Sequence, residues 1–146
     1  MYSIQKISAQ DTYSVRHPVL RKGKPTTTCY FDGDDLATTS HFGFFADQEL
    51  VGVLSLFKKT NTLFLEKEQS QIRGMAILEN QQKKGFGEAL VQYCEKDCIS
   101  KKVPLIWFNA RIQAVGFYQK LGYSIKGNPF EIENIGEHVV MFKKLI

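Results

Sequence analysis

The chain has 146 residues, of which 43% are apolar and 23% charged, enough to bury one hydrophobic core, and no linker-like or low-complexity stretch divides it, so a single domain over 1–146 is expected. Its net charge of +4, from 19 basic and 15 acidic groups, is modest. The pairs Lys58-Lys59, Lys83-Lys84, Lys101-Lys102 and Lys143-Lys144 are scattered rather than interleaved with stacking aromatics, which argues against a nucleic-acid partner. No apolar run could span a membrane and Met1-Tyr2-Ser3 does not open a secretory signal, so a cytoplasmic protein with no membrane partner is expected. Cys29, Cys94 and Cys98 are odd in number and lack metal-like spacing with His. They read as buried packing residues, and no metal is expected.

In chain order, Tyr2 to Ile7 predicts a strand, and Ser8 with Asp11 three residues on predicts a capped helix that Pro18 should end or kink. Arg21 to Gly33 is polar and turn-rich. His41 to Ala46 and Leu50 to Phe57 flank Asp47-Gln48 as a hairpin, the second strand apolar on both faces, as a central strand is. A strand from Ile72 to Ile77 follows. Phe86, Leu90, Val91, Cys94 and Cys98 recur at helical spacing, predicting an amphipathic helix that ends near Lys101-Lys102. Pro104 to Asn109 returns as a strand, and the strand-helix-strand unit makes the two strands parallel. Tyr123 to Lys126 and His138 to Lys143 close the sheet, with Gly127-Asn128-Pro129 as the turn between them.

The most informative stretch is Ser70 to Leu90, where an apolar strand runs into a basic, glycine-containing turn that opens a helix. Helix N-termini carry unpaired N–H groups and the positive end of the macrodipole, so this is a place for an anion, most simply a pyrophosphate. Gly85 and Gly87 let the backbone approach, Lys83 and Lys84 add charge, and Gln82 offers an amide to brace the turn. A nucleoside triphosphate loop would place Lys and Ser or Thr after the last glycine, whereas Gly87 is followed by Glu88 and Ala89. A dinucleotide fingerprint fails as well, because Leu90 stands where its third glycine belongs.

Gln82-Lys83-Lys84-Gly85-Phe86-Gly87 instead fits Gln/Arg-x-x-Gly-x-Gly/Ala, and with Ile72 to Ile77 before it the chain resembles the GNAT superfamily of acyl-CoA-dependent N-acyltransferases. Trp107-Phe108-Asn109-Ala110-Arg111 and Ala114-Val115-Gly116-Phe117-Tyr118-Gln119-Lys120-Leu121-Gly122-Tyr123 resemble the second half of that pattern. The resemblance implies an α/β (α+β) fold: a mixed, largely antiparallel sheet of six or seven strands, with a parallel pair at the cofactor site and about four flanking helices. It also implies a single N-acetyltransferase domain using acetyl-CoA, held by Met75, Ala76, Ile77, Gln82, Lys83, Lys84, Gly85, Phe86, Gly87, Glu88, Asn109, Ala114 and Phe117. Lys83 departs from the commoner glycine, and a turn already helical there would spare it a left-handed backbone.

The resemblance gives Tyr118 the role of acid toward the departing thiolate. A phenol of ordinary pKa about 10 holds its proton at neutral pH. By pattern alone, Phe117, Tyr118 and Leu121 also make an apolar packing face, and the resemblance decides for catalysis. Backbone N–H groups around Met75 to Ile77 could polarise the thioester carbonyl if a bulge frees them. Some family members use a Glu base on the fourth strand, but the matching residue is Gln71, left as a substrate-binding position. His138 is the candidate base, with His41 behind it and a water chain as the alternative. Arg73 and Arg21 could grip a carboxylate on the acceptor, or be ordinary surface ion pairs. The expected function is acetyl transfer to an amine of a small molecule, amino acid or peptide, with a homodimer left open. The alternative is a non-catalytic acyl-CoA-binding or sensing module.

Overall fold

The computed structural model describes residues 1–146. Strands β1 (Tyr2–Ile7), β2 (Ser40–Ala46), β3 (Glu49–Lys58), β4 (Ser70–Ile77), β5 (Leu105–Arg111), β6 (Ser124–Ile132) and β7 (Gly136–Lys144) alternate with helices α1 (Tyr13–Leu20), α2 (Phe86–Ser100) and α3 (Val115–Lys120). The seven strands form a mixed sheet in the order β1-β2-β3-β4-β5-β7-β6. Four short 3-10 turns accompany the three helices, against the roughly four helices expected. No helix is long and apolar enough to cross a membrane. Two compact units are distinguished, one formed by Met1–Phe57 with Ile72–Asp97 and the other by Lys58–Gln71 with Cys98–Ile146.

In the first unit, β1 pairs antiparallel with β2 from Tyr2↔Ala46 to Ile7↔His41. The turn into β3 places Asp47 and Gln48 at φ 50° and 71°, the doubly left-handed geometry of a two-residue hairpin. β3 is buried from Val51 through Phe57, as expected of a strand apolar on both faces. Ser8 and Asp11 cap one another, Asp11 N–H donating to Ser8 Oγ at 3.1 Å and Ser8 N–H to Asp11 Oδ2 at 3.2 Å. Pro18 does not end the helix that follows: α1 runs on to Leu20 and closes where Arg21 N–H reaches the Arg16 and His17 carbonyls. So near the end of a short helix, a proline costs one main-chain hydrogen bond rather than the helix. Val15, Val53 and Ala76 form the centre of this core, with Ile7, Val19, Leu20, Leu50 and Leu78 around them. Phe86, Leu90, Val91 and Cys94 on α2 are buried at the predicted helical spacing.

In the second unit, β7 pairs antiparallel with β5 from Leu105↔Lys144 to Arg111↔His138, and with β6 on its other side. The opening residues of β4 run parallel to β5, Ser70 beside Ile106 and Gln71 beside Trp107, the parallel pair the crossover helix requires. Leu105, Trp107 and Val140 centre the core, with Phe64, Phe130 and Phe142 packed against them. The Trp107 indole N–H donates to the Lys59 carbonyl at 2.9 Å. Gly127-Asn128-Pro129 is not the turn before the last strand. It lies inside β6, where the register to β7 shifts between Lys126 and Phe130. A bulge tolerates a proline because its residues leave the ladder. The actual turn is Glu133-Asn134-Ile135, closed by Ile135 N–H to the Ile132 carbonyl, with Asn134 at φ 65°.

Candidate active site

The turn before α2 is built by three anchors. Leu78 N–H donates to the Val51 carbonyl, which fixes the exit from β4, and a 3-10 turn over Glu79–Gln81 follows. Gln82 then reaches back, its Nε2 donating to the Ile77 carbonyl at 3.0 Å, the bracing role read from sequence. Phe86 is the third anchor: its ring is buried, stacked on Phe44 at 4.2 Å and edge-on to Tyr2 at 5.0 Å. Phe86 therefore offers a ligand its backbone N–H and not its side chain.

Between these anchors Lys83 and Gly85 sit at φ 64° and 86°. A turn already helical at Lys83, which would have spared it a left-handed backbone, is not what forms. The chain must reverse twice in three residues, and the lysine adopts the left-handed backbone that a β-carbon disfavours by about 1–2 kcal/mol. A Cβ built on Gly85 would meet nothing within 4 Å, so open space lies over the turn. Ala89 N–H takes the Gly85 carbonyl at 3.1 Å, the first helical bond, which leaves the N–H groups of Phe86, Gly87 and Glu88 to the N-terminal set without helical acceptors. Lys83, Lys84 and Glu88 are exposed, and Lys84 Nζ donates to Gln81 Oε1 at 3.0 Å. Glu88 is favoured by the helix dipole but its charge opposes an anion, so its N–H is what it can contribute. Upstream, Gly74 lies within β4 at φ 65°, the left-handed backbone that a glycine bulge uses, just before Met75, Ala76 and Ile77.

In the second unit Tyr118 is the buried residue of α3. Its ring lies 4.3 Å from Phe108, 5.0 Å from Phe117 and 6.2 Å from Tyr123, centroid to centroid. Desolvation by these rings pushes its pKa up to about 12, so the phenol stays protonated across any physiological pH. Phe117 is 40% exposed on the same short helix, beside partly buried Ala114. Asn109 is exposed on β5, opposite Val140. Gln71 is buried, paired with Trp107. His138 is buried next to the Phe130 ring, and its Nδ1 lies 2.8 Å from the Gly136 carbonyl. A carbonyl can only accept, so Nδ1 carries the proton and the lone pair of the neutral ring is on Nε2. His41, the second histidine considered, has both ring nitrogens engaged, with Ser55 Oγ at 2.6 Å and the Asp34 carbonyl at 2.9 Å, and acts as a structural residue.

The two arginines differ from each other. Arg21 donates from Nε to the Thr28 carbonyl and from Nη1 to the Leu20 carbonyl, so much of its guanidinium holds backbone. Arg73 is partly buried on β4 with its guanidinium over Phe31 and Phe57, at 4.9 and 5.2 Å from the ring centroids, and it makes no ion pair. Desolvation lowers its pKa from the ordinary guanidinium value; Asp34 and Asp32 pull the other way, and Arg16 and Arg21 add to the lowering.

Sequence reasoning missed Arg16. It is fully buried on α1, in a two-pronged ion pair with Asp34 at 2.7 and 3.1 Å, and it also donates to the Cys29 carbonyl and Ser55 Oγ. No local signal announces a partner 18 positions away.

The sequence matches the Acetyltransferase (GNAT) family over residues 4–123. It is 34% identical over 145 residues, 99% of this chain and 97% of the relative, to the uncharacterized N-acetyltransferase YitI of Bacillus subtilis (strain 168). Among solved structures, an aminoglycoside 6'-N-acetyltransferase complexed with coenzyme A superposes with a TM-score of 0.78 at 15% identity, covering 99% of this chain and 97% of that one. The ribosomal-protein-S18-alanine N-acetyltransferase of Escherichia coli superposes with a TM-score of 0.76 at 14% identity, covering 99% and 94%. These likenesses are of fold. With the family match over most of its length, a full-length relative above 30% identity and a braced glycine turn at the head of α2, the chain belongs to the GNAT family of acetyltransferases.

Proposed function

We propose that this protein is a single-domain, cytoplasmic N-acetyltransferase that moves an acetyl group from acetyl-CoA directly to an amine. The observation that carries the reading is the turn from Gln82 to Gly87, braced by Gln82 on Ile77, held left-handed at Lys83 and Gly85, and open above Gly85. That is a seat for a pyrophosphate. Acetyl-CoA, once bound, supplies an activated acyl group on a good leaving thiolate. Cys29, Cys94 and Cys98 are buried and form no disulfide, which suits a reducing compartment.

Each residue has a task that its own surroundings support. The N–H groups of Phe86, Gly87 and Glu88, with the Lys83 ammonium, bind and orient the phosphates. The left-handed backbone at Gly74 is where a bulge would turn N–H groups near Met75 toward the thioester carbonyl to polarise it. Tyr118 is the candidate donor to the departing sulfur. At a pKa of about 12 the phenol is a weaker acid than an ordinary phenol of pKa about 10. An alkyl thiol has a pKa of about 8.5, so Tyr118 stabilises the thiolate by donating a hydrogen bond rather than by surrendering its proton, and the proton that the amine nitrogen sheds as the amide forms passes through solvent to the thiolate. His138 Nε2 accepts a proton from the acceptor's ammonium, and the neutral amine then attacks the thioester carbonyl. A coenzyme A titration followed by thermal unfolding tests the reading: at 100 times its dissociation constant the ligand adds roughly 2.7 kcal/mol to stability. Gly85→Val should abolish that shift, because its side chain enters the open space over the turn; at φ 86° the branched residue is also strained, so the unliganded variant should melt below the parent while still unfolding cooperatively. A parent protein that does not respond to coenzyme A would sink the assignment.

A further inference from the structure

Three guanidinium groups surround one aromatic ring in the first unit. The Cζ atoms of Arg16, Arg73 and Arg21 lie 3.9, 4.9 and 5.2 Å from the centroid of Phe31. Like charges gathered on one ring repel unless something negative serves them. Asp34 serves Arg16: both its oxygens are taken by that guanidinium, and Oδ2 also accepts the Phe31 N–H. Asp32, the other acid within electrostatic reach, is exposed and pairs with neither Arg73 nor Arg21. Arg21 has committed Nε and one Nη1 hydrogen to backbone carbonyls, which leaves three N–H groups on its fork. Arg73 has committed none. A partly buried guanidinium with no carboxylate, held over Phe31 and Phe57, is preorganised for a planar two-oxygen anion. One further donor is left over: Arg16 Nε is buried and has no hydrogen-bond partner, and it sits 3.4 Å from where a Cβ on Gly74 would stand.

We propose that Arg73, with Arg21 beside it on the Phe31 ring, binds the carboxylate of the acceptor, which makes the substrate a small amine carrying a carboxylate close to its nitrogen, as a free amino acid does. This deepens the acetyltransferase reading and rests on it. Arg73 is the anchor, since its whole fork is available; Arg21 supplies a second contact from Nη2; and the buried Arg16–Asp34 pair holds Phe31 under both as a positioning element. Polyamines, which bring only positive charge, are excluded by the same cluster.

The test uses acids and their neutral twins. Acetylglycine and acetyl-leucine, which resemble products, are compared with acetylglycinamide and acetyl-leucinamide by calorimetric titration into the protein saturated with coenzyme A. The acids should bind at least tenfold more tightly than the amides in the parent. Arg73→Gln should erase the difference, Arg73→Lys should restore part of it, and all variants should keep the coenzyme A shift that reports an intact fold. Amides binding as well as acids, or Arg73→Gln binding acids as the parent does, would overturn the proposal. Acid-selective binding without thiol release from acetyl-CoA in the presence of any free amino acid would leave the carboxylate site standing and remove the transferase reading instead.

Discussion

At the residue scale the account turns on Tyr118, His138 and Lys83. Tyr118→Phe removes one hydroxyl and keeps the ring contacts to Phe108 and Tyr123, so kcat should fall about 10–1000 fold with the coenzyme A shift unchanged. Its raised pKa has a second consequence. The folded state holds the proton to about pH 12 and the unfolded chain to about 10, so the stability this burial lends is whole below pH 10 and is lost as pH rises from 10 to 12, by roughly 2–3 kcal/mol. The same substitution should flatten that part of the stability curve, and no loss of activity below pH 11 should trace to this phenol. For His138, a direct role predicts an acidic limb in the rate profile of the parent that His138→Gln removes; a limb that survives would hand the proton to water. Lys83 tests a trade-off. Lys83→Gly relieves the left-handed strain but deletes a charge at the phosphate seat, so melting should rise by about 1–3 °C while coenzyme A binds more weakly.

At the scale of elements, the sequence announces whatever is local. The cap of Ser8 on Asp11, the Asp47-Gln48 hairpin, the helix from Phe86 and the Gln82 brace each involve residues within a few positions, where propensity, periodicity and turn chemistry act. Elements went astray where a local signal had two structural solutions. Gly-Asn-Pro fits a turn and a bulge equally well, and pairing with β7 selected the bulge. Pro18 fits a helix end and a helix interior near its end, and the Arg16 network held the chain helical to Leu20. Lys83 carries no local mark of its left-handed backbone, because only the connection from the 3-10 turn into α2 demands it. The Arg16–Asp34–His41–Ser55 network was invisible for the opposite reason: it joins α1, the following loop, β2 and β3, and nothing in any one segment marks it. Arg16→Met should cost about 3–5 kcal/mol, because Asp34 would be left buried without its partner; denaturant unfolding measures it, and restoration by Asp34→Asn in the same chain would confirm the cause.

At the scale of the whole molecule, family membership and fold carry the acyltransferase assignment, while acetyl-CoA, the amine and the carboxylate rest on the turn, on Tyr118 and on the arginines around Phe31. Fold alone does not choose among acceptors, since GNAT-like neighbours at about 15% identity include enzymes named for an aminoglycoside and for a ribosomal protein. The most direct measurement is free thiol release from acetyl-CoA across a panel of amines, amino acids, peptides and polyamines. The account predicts amine-dependent release, greatest with small amino carboxylates, saturable, and depressed in Tyr118→Phe. Release that is no greater with any amine than without one, from protein that still binds coenzyme A, would contradict it and leave an acyl-CoA-binding module.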